Sequence, residues 1–247
     1  MPPEERFVPR FAAEPPLEEL PYGRWAERLS AEFLGACLAL DAEEEELGEP
    51  GEIRWYPDRT WNGRTYVPGT SITANGYELF GHVSFVPTPP EGGEPSDFTA
   101  RVDFTEETAA RNPDWKLDLC DEVIGAWRGH AGSVAQITLI WGRPLISGGA
   151  IVTAELADLA VDQCELIDER FTLIAPDDYR HDLLEIKLFA ARGQELARES
   201  MYAGEDEDED ENDGSEGAGG DEQDEDKRDE DKQEPRESAT NAGEEER

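Results

Sequence analysis

Two periodicities divide this chain. From residue 22 to residue 42, apolar side chains recur every three or four positions. Trp25, Leu29, Phe33, Ala36 and Leu40 then share one face, which predicts an amphipathic helix packed on its own domain. The acids Glu43 to Glu46 oppose the dipole at a helix C-terminus and predict that it frays there, before Gly48, Pro50 and Gly51. From residue 53 to residue 202 the period changes to two. Tyr77, Leu79, Gly81, Val83 and Phe85 alternate with Glu78, Phe80, His82 and Ser84, and Phe98, Ala100, Val102 and Phe104 alternate with Thr99, Arg101, Asp103 and Thr105. Shorter strand-like runs follow at 115–119, 122–127, 134–141, 150–155, 170–174, 183–190 and 195–202, separated by glycine and proline breakers. Residues 156–166 fit either a strand or a short helical turn. The last two runs read as a hairpin around Arg192-Gly193, although 194–200 also suits a helix. Many short strands at this spacing predict a mainly β fold, an antiparallel β-sandwich or barrel-like domain with one N-terminal amphipathic helix.

The sharpest local signal is Asn62-Gly63. Both residues tolerate positive φ, so a type I′ turn joining two strands is expected, with Trp61 opposite Arg64, Thr60 opposite Thr65, and Arg59 opposite Tyr66. Alternation then places Arg59, Trp61, Arg64 and Tyr66 on one face. Two arginines and two aromatic rings suit an anion, a planar ring or an acidic segment, and they equally suit an edge stiffened by cation–π contacts. The stretch 53–76 has three arginines and one acid, a positive island in an acidic chain.

Composition sets the domain limits. Residues 1–21 hold six prolines and read as an extended arm. Residues 204–247 lack any aromatic or any aliphatic side chain larger than alanine, and read as a disordered acidic tail. Residues 22–203 remain as a single globular domain. The formal net charge is −38, and the tail, with 22 acids and 5 bases, supplies −17 of it. The other −21 belongs to residues 1–203, where Lys116 and Lys187 are the only lysines. Such acidity fits salt adaptation or a functional polyanion, and it opposes binding to nucleic acid phosphates. The N-terminus has no apolar leader segment and no window is long enough to span a bilayer. A cytoplasmic protein with no membrane association is expected, and Cys37, Cys120 and Cys164, far apart and odd in number, read as reduced thiols.

Signals for catalysis are sparse. Glu78 and His82 share a strand face, and with His130 they form the one metal-ligating set worth considering. Ser147 lies in no nucleophile-elbow motif, and no phosphate-binding glycine loop occurs. With 60 acids, carboxylate pairs select nothing. No cofactor is expected. The sequence favours a non-catalytic binding or assembly domain working through the Arg/aromatic hairpin face on a protein partner, with a small-molecule ligand as a further option. The alternatives are a metal- or carboxylate-dependent hydrolase or isomerase in a β-barrel pocket, and a polyanionic tail that binds basic proteins. Nothing in the sequence specifies an oligomeric state.

Overall fold

The computed structural model describes residues 26–42, 45–87, 94–128, 134–177 and 184–201, all within one compact unit. The arm, the tail, Trp25, His130 and His181 lie outside the described residues. The fold is mainly β, with antiparallel sheets and one N-terminal helix. Helix α1 spans Ala26–Ala39. It ends before the run of acids begins, as the dipole argument requires.

Twelve strands follow among the described residues. They are β1 (Arg54–Trp55), β2 (Arg59–Trp61), β3 (Arg64–Ile72), β4 (Glu78–Val86), β5 (Ser96–Thr105), β6 (Leu117–Arg128), β7 (Val134–Pro144), β8 (Gly149–Leu156), β9 (Leu159–Glu165), β10 (Phe171–Asp177), β11 (Leu184–Ala190) and β12 (Glu195–Ser200). The first sheet runs β1-β3-β4-β5, with β2 also paired to β3. The second runs β10-β7-β6, and the third β12-β11-β8-β9.

Layering follows from the alternation of side chains. Leu29, Phe33 and Cys37 of α1 pack on Trp55, Val67, Leu79, Val83 and Phe85, all on one face of the first sheet. The opposite face carries Tyr66 and Phe80, which meet Leu139, Trp141 and Ile174 of the second sheet. The far face of the second sheet, with Ile140, Phe171 and Leu173, packs on Val152, Ile186 and Leu188 of the third. The second sheet is therefore covered on both sides. This explains why 137–141 and 171–175 read as nearly unbroken apolar runs rather than alternating ones.

Two sequence expectations change in detail. The runs 115–119 and 122–127 are one strand, β6, with a register shift between Val123 and Gly125. Asp121-Glu122 reads as a break because charge interrupts the apolar pattern, but the strand lies at a sheet edge where charge is tolerated. The ambiguous segment 156–166 is a hairpin arm. Ala157 and Asp158 turn at φ 50° and 61°, the geometry usually left to Asn-Gly, and β9 returns along β8. The closing pair β11–β12 is a hairpin, and its second half is strand.

Candidate functional site

The 59–66 hairpin forms in the expected register, Arg59↔Tyr66, Thr60↔Thr65 and Trp61↔Arg64. Asn62 and Gly63 turn at φ 51° and 76°. Its four-residue face divides. Arg59 is 3 % exposed and reaches inward across two sheets. Its Nη1 donates to the Thr172 carbonyl of β10 at 2.8 Å, and its Nη2 to both Asp162 carboxylate oxygens of β9 at 2.9 and 2.8 Å. Burial pushes the Asp162 carboxyl up, and the Arg59 guanidinium with the Ile174 and Gln163 amides pull it back. Tyr66 is buried, its ring centroid 5.4 Å from that of His82. Trp61 is half-buried and lies so close to Gly125 of β6 that a Cβ there would come within 2.7 Å of the indole. Arg64, also half-buried, donates to Ser84 Oγ, the Asp97 carboxylate and carbonyl, and Thr99 Oγ1. Only Trp61 and Arg64 of the four reach solvent, and every one is engaged within the fold.

Glu78 and His82 share a face of β4 but meet different neighbours. Glu78 is buried, and burial followed by the nearby Asp118 carboxylate raises its pKa, against the pull of Thr70, Arg54 and Arg143. Asp118 accepts from Arg143 Nε at 2.9 Å. His82 Nδ1 lies 3.1 Å from Glu122 Oε2 of β6, an ion pair when the imidazole is protonated. Arg101 Nη1 donates to Glu122 Oε1 at 3.2 Å. Burial acts to raise the Glu122 carboxyl, but His82 and Arg101 outweigh it and hold the group below the ordinary glutamate range. Among the described residues no group of three or more His, Cys, Asp or Glu side chains could hold a metal ion.

The concave feature of interest is elsewhere. An open groove of about 520 Å³ is lined by Ala36, Ala39, Leu40 and Asp41 at the end of α1, by Phe80, by Ala100, Arg101, Val102 and Asp103 of β5, and by Asp121 and Glu122 of β6. Among the described residues its charged lining is four carboxylates and one guanidinium, and that guanidinium is already paired with Glu122. Partial burial, then the Asp177 and Glu122 carboxylates, raise Asp121 even though its side chain reaches solvent. Crowded carboxylates of this kind favour a cation entering from solvent. Sequence reasoning missed the groove because its residues come from three separate segments. The available signal was Asp121-Glu122 between two apolar runs.

Comparison with known proteins found no family model, no curated protein and no solved structure that matches this chain.

Proposed function

We propose that this protein is a binding or assembly domain that recognises a cationic segment of a protein partner in the groove between α1, β5 and β6. The observation that carries this reading is the groove's lining: Asp103, Asp121 and Glu122 beside Ala36, Ala39 and Leu40, with Arg101 as the sole base among the described residues. A bound lysine or arginine would set its charge among carboxylates and its aliphatic stem against the end of the helix. The contact surface moves from the hairpin to this groove because Arg59 and Tyr66 are turned inward. A hydrolase using Glu78 and His82 is less well supported, since the two side chains work with separate partners.

The test compares two full-length variants of equal net charge. Asp103→Asn with Asp121→Asn removes two groove charges, and Asp208→Asn with Asp210→Asn removes two charges from the tail. In calorimetric titrations with hexalysine the groove variant should bind several-fold more weakly than the tail variant. Equal losses would mean that hexalysine responds to net charge alone, and the reading would fail.

A further inference from the structure

We infer that the groove accepts its partner as an added β-strand on the outer edge of β5, an extended segment with basic side chains at every second position. This rests on the reading of the groove as a cation site and goes on to specify the mode and pattern of recognition. Successive residues of a strand point to opposite faces of its sheet. A cavity over one face would touch alternate residues. This one touches Ala100, Arg101, Val102 and Asp103, four in succession, so it wraps the strand's edge and backbone, reaching under the sheet as far as Phe80 of β4. The same holds for Asp121 and Glu122 of β6.

Both strands are the last in their sheets. β5 ends the order β1-β3-β4-β5, and β6 ends the order β10-β7-β6. Among the described residues no strand pairs with the outer edge of β5. That edge is also regular. Glu78 to Ser84 pair with Thr105 to Thr99 without interruption, and the register shifts only near Ser96. Exposed edges are commonly blunted by proline, lysine, other charges, a bulge or a covering helix; the stretch 99–105 has no proline, lysine or bulge, but it carries Arg101 and Asp103 and the end of α1 lies beside it. A regular edge beside a groove is the surface that strand-adding partners use, with main-chain hydrogen bonds for affinity and alternating pockets for specificity.

The two walls differ, which sets the pattern. Ala100 and Val102 share the side of the first sheet on which α1 packs, so that wall is small and apolar, completed by Ala36, Ala39 and Leu40. The opposite wall holds Asp103 and Glu122, with Arg101 tied to Glu122, and Asp121 borders the groove from the other face of β6. An added strand would therefore alternate small apolar residues toward the helix with lysine or arginine toward β6.

An end-capped octapeptide alternating lysine with valine is the probe, titrated into the full chain by fluorescence anisotropy. Two further versions carry N-methyl groups, one on the lysine amides and one on the valine amides. In a strand the amides of one set face β5 and those of the other face away. One methylated version should bind at least tenfold more weakly while the other matches the parent. If all three bind alike and the Asp103→Asn/Asp121→Asn variant weakens them equally, strand addition is overturned while the cation site stands. If the parent shows no binding at the groove, both readings fall. The arm contains Arg6 and Arg10; should the peptide bind only after Arg6→Glu and Arg10→Glu, the occupant is this chain's own arm and a partner segment is overturned.

Discussion

The second sheet separates two interiors of different character. Its face toward the third sheet meets an apolar core of Val152, Ile186, Leu188 and their neighbours. Its face toward the first sheet meets an interior where Glu78, His82, Asp118 and Thr70 are buried beside Tyr56 and Tyr66. Burying apolar area is favourable in proportion to area, so the first interior supplies stability. Burying carboxylates is unfavourable unless partners offset it, so the second interior gives some stability up. The second interior is also the one whose Glu122 contacts His82 on the inside and lines the groove on the outside. The polar interior thus borders the groove through Glu122, while the apolar one lies on the other face of the same sheet.

The largest expected effect comes from the residue that ties these regions together. Arg59→Ala should destabilise the protein by about 3–5 kcal/mol, because Asp162 keeps its two amide contacts but loses the cation that offsets its buried charge. Arg59→Met combined with Asp162→Leu should recover most of that loss in denaturant titrations. Failure to recover would mean that the Thr172 carbonyl contact, or the Ile174 and Gln163 amides left without an acceptor, outweighs the ion pair. Next, Leu173→Ala in the apolar interior should cost about 3 kcal/mol by the same measurement, since Leu173 is fully buried. A cost well under 1 kcal/mol would contradict its place in a packed core.

Gly125→Ala should cost roughly 1–3 kcal/mol, as its new methyl collides with the Trp61 ring. A Trp61 fluorescence change should accompany it. The smallest effect sharpens the contrast between interiors by its sign. Glu78 has a raised pKa in the folded state, so its ionisation costs stability above that pKa and costs nothing below the ordinary glutamate value of 4.5. Glu78→Gln should therefore stabilise the protein at neutral pH, with the gain fading as pH falls toward 4.5. Destabilisation at neutral pH would show that Arg54 and Arg143 make this carboxylate a net asset. The groove has its own pH dependence. Asp121 is raised, so it loses charge before an ordinary aspartate as pH falls, and cation binding should weaken from that point downward.

How legible this was depends on whether a feature is local. The 59–66 register followed from Asn62-Gly63 because a two-residue turn fixes pairing without help from the rest of the chain. The alternation of Phe98, Ala100, Val102 and Phe104 gave the helix-facing side of β5 for the same reason. The Ala157-Asp158 turn was not legible, because its positive φ values are imposed by the pairing of β8 with β9 and not by glycine. The fate of Arg59 was not legible either. Its partner Asp162 lies 103 residues away, and with 60 acids in the chain no pattern singles it out. The groove belongs to this class too, since Ala36, Asp103 and Asp121 meet only after three layers have stacked.

The most direct test of the central claim is position rather than affinity, because a segment with 22 acids and 5 bases would compete for any polycation. Backbone amide shifts of the labelled full chain should be followed during titration with hexalysine at about 150 mM salt, where long-range attraction is screened beyond roughly 8 Å. The account predicts that the largest saturable shifts fall on Ala100, Arg101, Val102, Asp103, Asp121 and Glu122, with smaller ones at the end of α1. Shifts confined to residues after Gly204, or centred on Trp61 and Arg64 with the groove unmoved, would contradict it.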